Sequence, residues 1–357
     1  MIKIELLSPY YEDSYTDMLR HCDEAMFSHS IPYRNLLFSF LNCEPYYLIA
    51  IGGSGEVVGA IPAFLKRSKS GNVLNSLPFF GSHGGVLVNS WQQLDEQTEV
   101  QRLLLEAFMD IAEEKNCILS VISTPPLGAN VSVYDYNLPK FNEGRVAQMV
   151  KFRDNILDAD LEIMNHIIDP DSRRTIRRPF KHGITSEPST DFTPLFEMHD
   201  NNMSSKGGSV KPIEFFQRIK EIVPQENYSL TYAKREGEII AGLLVFLFKD
   251  TVEYFTPALK YEYSIEQGTS LLIYEEMKRA IERGYRYFNF GGTLGSQESL
   301  HRFKARWGAK DYRYYYYIYQ HQDIGHILEM KPQEILDEYK WFYVVPFGGL
   351  TSGEQND

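Results

Sequence analysis

The sequence predicts a duplicated α/β (α+β) protein of two tandem domains, each a mixed, largely antiparallel sheet flanked by helices. Tyr46-Tyr47-Leu48-Ile49 through Gly55-Glu56-Val57-Val58 to Phe64-Leu65 aligns without gaps, 182 residues further on, with Tyr228-Ser229-Leu230-Thr231 through Gly237-Glu238-Ile239-Ile240 to Phe246-Leu247. A second echo at an offset of 168 matches Leu103-Leu104-Leu105, Met109 and Ala112 with Leu271-Leu272-Ile273, Met277 and Ala280. Both halves therefore run hairpin, helix, strand, which is how a repeated unit shows itself in sequence. The third observation is size: 357 residues exceed one ordinary core and suit two.

Each element follows from local pattern. Ile2 to Leu6 alternates as a short strand, and Glu12 to Met26 carries Tyr15, Met18, Leu19, Cys22 and Met26 at helical spacing. The hairpin of 46–67 leads to a Gly/Pro-rich stretch from Pro78 to Gly85, and a helix over about Leu94–Lys115 feeds a buried-strand run from Ile118 to Ile122. Thr124-Pro125-Pro126 ends that run, because proline cannot donate to a sheet ladder. A strand within Val146–Leu157 closes the first half. Asp160 to His182 is expected as helix, turn and basic helix, and it marks the junction. Helices at 192–203 and 212–223 precede the second hairpin, and a strand over Thr251–Leu259 follows it. Then come a loop to Gln267, a helix over Gly268–Arg283, a strand ending in Gly291-Gly292, a helix near Ser299–Trp307 and an aromatic strand, Tyr312–Tyr319. The expected domains are 1–160 and 161–345, with 346–357 as a flexible tail.

Composition excludes several classes. The net charge of −12 argues against a general nucleic-acid binder, and no DNA partner is expected, since phosphate neutralisation needs a dominant basic face. The longest apolar run, Ala241–Phe248, is far shorter than the roughly 20 residues that cross a bilayer. With no charged-then-apolar leader pattern, a cytoplasmic protein is expected. Cys22, Cys43 and Cys117 lack metal spacing and are expected as reduced thiols, with no metal site.

Four segments carry candidate chemistry. Gln267-Gly268-Thr269-Ser270 opens a helix whose amides and dipole favour an anion. In Phe288-Asn289-Phe290-Gly291-Gly292-Thr293 a buried strand ends in two glycines, letting a ligand approach the backbone, and the next helix brings Lys304 to that turn. Arg173, Arg174, Arg177 and Arg178 form the one dense basic cluster, a candidate phosphate clamp on a nucleotide or lipid-diphosphate substrate, or else a solvated face balanced by Asp169 and Asp171. Gly81-Ser82-His83-Gly84-Gly85 holds a histidine that could serve as general base, with Gly84 beside a substrate, and Tyr254 could line a groove.

The span Tyr228–Tyr319 has the element order of an N-acetyltransferase-like (GNAT) fold. The string Phe288-Asn289-Phe290-Gly291-Gly292 … Phe303-Lys304-Ala305-Arg306-Trp307-Gly308-Ala309 resembles the second-domain signature of the Fem-type aminoacyltransferases and their Fem-like acyltransferase relatives. That signature more often carries Asp where Asn289 stands. Arg173–Ile184 resembles their inter-domain basic helix, and Gly81–Gly85 resembles their first-domain glycine loop. The likeness covers about residues 30–320. It implies two tandem GNAT-like domains and N-acyl transfer to an amine of a cell-envelope or polysaccharide precursor, across a groove between the domains. The first domain would be the acceptor-side platform and the second the donor-side, catalytic half. Donors in such families are acyl-CoA or aminoacyl-tRNA. The long coiled-coil arm of some members is absent between Phe192 and Tyr228, which favours a coenzyme A thioester here. The alternatives are an aminoacyl-tRNA-dependent transferase of peptidoglycan-bridge type, with tRNA as partner, or a non-catalytic nucleotide-sugar-binding protein. Lys304 is expected to meet a phosphate or developing oxyanion, and Gln267, Gly268, Thr269, Ser270, Asn289, Gly291 and Gly292 to line the donor.

Overall fold

A computed structural model describes residues 2–79, 81–128, 132–135, 140–170 and 172–344, with backbone alone at 140–142. The tail expected at 346–357 lies outside the described residues, as does Phe80 of the glycine loop. In chain order the elements are β1 (Lys3–Leu6), α1 (Glu12–Arg20), α2 (Ile31–Phe40), β2 (Glu44–Pro45), β3 (Leu48–Ile51), β4 (Val57–Ile61), β5 (Phe64–Lys66), β6 (Asn72–Ser76), β7 (Leu87–Val88), α3 (Leu94–Glu114), β8 (Cys117–Ser123) and β9 (Lys140–Lys151). There follow α4 (Ala159–Glu162), α5 (Ser172–Lys181), β10 (Thr185–Pro188), α6 (Thr193–Ser204), α7 (Ile213–Ile222), β11 (Tyr228–Arg235), β12 (Glu238–Phe248), β13 (Thr251–Leu259), α8 (Gly268–Glu282), β14 (Tyr287–Thr293), α9 (Glu298–Arg306) and β15 (Lys310–Gln320), before two short terminal helices.

The chain forms two compact units, one of Met1–Arg145 with Arg313–Asp357 and the other of Val146–Tyr312. The expected cut at 160 thus falls inside the second unit. Two strands expected to close their own halves serve the other. Val146–Lys151 of β9 pairs antiparallel with β14, and Tyr316–Gln320 of β15 pairs antiparallel with β8.

Within the first unit, β1, β3, β4 and β7 make a small sheet, and β2, β5, β6, β8 and the end of β15 make a second. β6 and β8 run parallel, because α3 carries the chain back between them. Val100, Leu104, Leu105, Phe108, Met109 and Ala112 recur at helical spacing on α3 and are buried against the sheets. The three cysteines are buried, and burial pushes the Cys43 thiol up to about 12.

In the second unit the sheet order is β10, β11, β12, β13, β14 and the end of β9. β13 and β14 are parallel and joined through α8, whose Leu271, Leu272, Ile273, Met277 and Ala280 fill the core. The repeated phrase is a repeated structure. Both hairpins pair antiparallel and both bulge one strand, with Val58 and Ile240 the extra residues; these are 182 positions apart. The turns close on Gly55 at φ +91° and Gly237 at φ +86°, backbone that glycine adopts without a Cβ clash.

Candidate active site in the second unit

The parallel ladder between β13 and β14 is short. It pairs Thr251 with Tyr287, Val252 with Phe288 and Glu253 with Asn289, then stops. Beyond Glu253 the β14-facing backbone groups of β13 have no strand partner, and β13 itself bulges at Phe255, between the pairs Val245–Tyr254 and Leu244–Thr256. Unpaired strand backbone beside a bulge is a place where a sheet can take a ligand carbonyl. Tyr254 is the first residue past the last pair. Its ring rests against Phe290 and Phe288, centroids 5.2 and 6.4 Å away, and its hydroxyl has no hydrogen-bond partner among the described residues. Burial holds that phenol well above its ordinary pKa, so it stays a neutral O–H donor at physiological pH.

Across the opening, β14 is shaped by a closed polar network. The Asn289 side chain accepts from the Gly291 amide at 2.8 Å, which turns Gly291 to φ +75° and bulges β14 against β9. Lys304 is only 3% exposed. Its ammonium donates to the Gly291 carbonyl at 3.0 Å, the Gly292 carbonyl at 2.9 Å and Thr293 Oγ1 at 2.8 Å. Thr293 donates to Gln148 Oε1 at 3.0 Å, and Gln148 Nε2 donates to the His301 carbonyl at 3.1 Å. An ammonium has three protons, and all three are engaged. The expected direct contact of Lys304 with a phosphate or oxyanion is therefore corrected: it pins the Gly-Gly turn. Among the described residues no carboxylate pairs with it, and burial pushes it down to about 8.

The loop before α8 departs from a phosphate cradle in one respect. Gln267 sits at φ +59° as the N-cap and offers no side-chain cap, so the first amides of α8 remain open. Just before it, the buried Glu266 carboxylate accepts from Arg235 at 2.6 Å and pairs with His182. The Arg235 guanidinium beside the loop is thus engaged by Glu266. Gly268 is needed for packing: a Cβ there would lie 3.2 Å from Ala233, Ala241 and Ile240 atoms. Ser270 donates to the Gln267 side chain at 3.1 Å, and Thr269 Oγ1 is buried without a partner. Beside this loop a cleft of about 550 Å³ is lined by residues that include Met198, Asn201, Asn202, Ile239, Lys260 and Tyr261. Asn202 fixes the end of β13 by hydrogen bonds in both directions with the Leu259 backbone, at 2.8 and 3.0 Å.

On α5, Arg174, Arg177 and Arg178 are exposed, while Arg173 is half-buried and reaches the Asn165 carbonyl at 3.5 Å. The structure gathers Asn289, Gly291, Gly292 and Lys304 into one network and Gln267–Ser270 into one helix start. It ties α5 to the latter through His182 and Glu266.

His83 and Gly84 belong to the first unit and behave as interior residues. His83 is 2% exposed, donates from Nδ1 to the Thr124 carbonyl at 3.1 Å, and meets the Tyr314 ring edge-on at 4.7 Å. Burial pushes it down to about 4, so it is neutral and too weak a base for the catalytic role expected of it. Its Nε2 is buried without a partner. Gly84 approaches the chain itself rather than a substrate, since a Cβ there would lie 2.2 Å from Ser76 Oγ and 2.3 Å from its carbonyl. The neighbouring His29 donates from Nε2 to the Gly84 carbonyl at 3.1 Å and is likewise pushed down to about 4.

These two histidines predict an acid sensitivity. Unfolded, each takes a proton near pH 6.5; folded, only near 4. Between those values the unfolded chain binds more protons, so stability falls as pH drops from 6.5 to 4, by about 3 kcal/mol per pH unit for the pair. Thermal melts across that window should show a His83→Gln variant losing about half of this component. A variant with an unchanged slope would contradict it.

Sequence reasoning missed Gln148, Thr293 and Glu266, and also Lys211. The Lys211 ammonium lies 5.0 Å from the ring of Phe255, the bulged residue, and burial pushes it down to about 8. Only Glu266 had a local signal, a carboxylate where a phosphate loop should be basic.

The paired units, each with a parallel pair joined through a helix, and the open ladder at Tyr254 define a tandem GNAT-type architecture. The profile of the acetyltransferase (GNAT) domain matches residues 171–314. The UDP-N-acetylmuramoylpentapeptide-lysine N(6)-alanyltransferase of Weissella viridescens is 22% identical over 179 residues, 42% of this chain and 52% of that protein. The chain thus aligns with about half the length of that curated relative. Among solved structures, FemX superposes with a TM-score of 0.68 at 15% identity, over 88% of this chain and 96% of that one. A tandem GNAT protein from the clavulanic acid biosynthesis pathway gives 0.54 at 10% identity, over 90% and 98%. The chain thus has the fold of FemX and of tandem GNAT proteins, with an acetyltransferase (GNAT) domain over residues 171–314.

Proposed function

We propose that the protein is an N-acyltransferase of peptidoglycan-bridge type, moving an aminoacyl group from aminoacyl-tRNA to an amine of a cell-envelope precursor. The observation that carries this choice of donor is Glu266. A coenzyme A pyrophosphate at the start of α8 would meet a carboxylate that already engages the Arg235 guanidinium and the His182 ring. The alanyl transfer named for the Weissella viridescens relative supports the same reading. Acyl-CoA, the donor favoured by the sequence, stays as a second reading because the first amides of α8 are uncapped.

The second unit is the donor side in this reading, and the first unit the acceptor platform. The ester carbonyl lies at the open edge of β13. The neutral acceptor amine attacks it, a C–N bond forms, and the C–O bond to the tRNA ribose breaks. The amine's proton passes to the leaving ribose oxygen. Tyr254 donates to the developing oxyanion, and the Lys304 network holds the Gly291–Gly292 turn in place. Lys211 supplies a cation for an anionic group of acceptor or carrier.

The test supplies UDP-N-acetylmuramoyl-pentapeptide with charged tRNA or with acetyl-CoA, each labelled in the acyl group. Label should reach the peptide from tRNA and be abolished by RNase. Transfer from acetyl-CoA alone would move the assignment to the second reading. No transfer from either, with thermal stabilisation by a nucleotide-sugar, would make this a binding protein.

A further inference from the structure

Helix α5 carries a charge stripe that no acid among the described residues pairs with. Arg174, Arg177, Arg178 and Lys181 fall at i, i+3, i+4 and i+7, which is one face of a helix, and all four are exposed. The opposite side, Ile176 and Pro179, is buried, and α5 packs on α8. Four nearby carboxylates have other partners. Asp160 takes Lys278 at 2.8 Å and the Tyr274 hydroxyl, Glu162 takes Arg153, Asp158 caps the Leu161 amide at 2.9 Å, and Glu266 takes His182 and Arg235. Among the described residues none of the four stripe cations forms an ion pair. In a chain of net charge −12 that is a local concentration of positive charge.

Beside the stripe lies apolar surface that folding leaves in water. Phe180 is 53% exposed, Leu161 57% and Leu157 101%. Tyr274 of α8 links the first two: its ring meets Phe180 edge-on at 6.1 Å, and its hydroxyl bonds Asp160, the residue before Leu161. Large apolar side chains flanking an unneutralised basic helix face are the two halves of an interfacial membrane contact.

We propose that this face, α5 with Phe180 and Leu161, docks the protein on an anionic lipid bilayer. Cations meet lipid phosphates, and the two apolar side chains enter the headgroup boundary. Among the described residues no helix is long and apolar enough to cross a membrane, so the contact is peripheral. A nucleic-acid phosphate backbone would answer the charge but would leave the apolar patch in water. That asymmetry favours lipid.

The full-length protein, at low protein and excess lipid, would be sedimented with vesicles of phosphatidylcholine alone or with about a third phosphatidylglycerol. Binding is expected only to the anionic vesicles, weakening with salt. At about 1 kcal/mol per basic residue near such a surface, the Arg177→Ala, Arg178→Ala double variant should partition roughly 25-fold more weakly. Phe180→Ser with Leu161→Ser should also weaken it, with the thermal melt unchanged for both exposed pairs. No binding to anionic vesicles overturns the proposal. So does an unaffected double arginine variant, or a gel shift of uncharged tRNA lost in that variant while vesicle binding persists. None of these readouts requires turnover, so they are independent of the transferase assignment.

Discussion

Replacing Lys304 with methionine is expected to destabilise the second unit by a net of about 1–6 kcal/mol at pH 7 and to erase a rise in stability at alkaline pH. Three charge-assisted hydrogen bonds, each about 1.5–3 kcal/mol, hold the side chain. Against them stands desolvation that moves the group from 10.5 to about 8, worth about 3 kcal/mol. The bonds win, but not by much. The sign with pH is set by the same shift. The folded protein releases the Lys304 proton near pH 8 and the unfolded chain near 10.5, so between them the unfolded chain binds more protons and stability climbs. Below pH 8 the burial cost is carried in full. Urea unfolding of both proteins at pH 7, 9 and 10 would show the wild type gaining on the variant as pH rises. Equal stability at pH 7 with parallel pH curves would mean that the network does not hold an ammonium.

Tyr254→Phe is expected to lower kcat by about 100-fold with KM little changed, the cost of one oxyanion donor that acts mainly in the transition state. Stability should barely move, because the hydroxyl has no partner among the described residues while the ring keeps its contacts with Phe288 and Phe290. Steady-state kinetics with the donor that proves active, together with a thermal melt, would separate the two effects. A variant with wild-type kcat would remove Tyr254 from the chemistry.

Much of the fold was legible because its signals are local. Helix α3 shows a 3.6-residue apolar stripe, β13 is bounded as expected at Thr251 and Leu259, and the glycine turns at 55 and 237 announce their hairpins. The Gly291–Gly292 turn and Lys304 could be brought together on paper because they lie only a dozen residues apart. The partner set of Lys304 could not. Thr293 reaches Gln148 over 145 positions, and no property of either residue marks the other. His83 misled for a related reason. A histidine among glycines is a common loop residue beside a ligand, yet here Thr124 and His29, which clasp the loop from 41 and 55 positions away, draw it into the interior. Helix α2 and strand β6 went unpredicted, since neither short segment carries a decisive periodicity.

The sequence by itself determined that the protein is duplicated, down to bulges at Val58 and Ile240 at the same offset, because hairpin register and turn geometry depend on residues a few positions apart. Only the tertiary structure decided which strands complete which sheet, giving the end of β9 to the second unit and the end of β15 to the first. A strand's alternation says which face is buried but not which edge it will meet. That choice is made by backbone hydrogen bonds, which any sequence can form, and by packing between residues more than a hundred positions apart. The same distinction separates the Gly-Gly turn, written in sequence, from the buried ammonium that holds it.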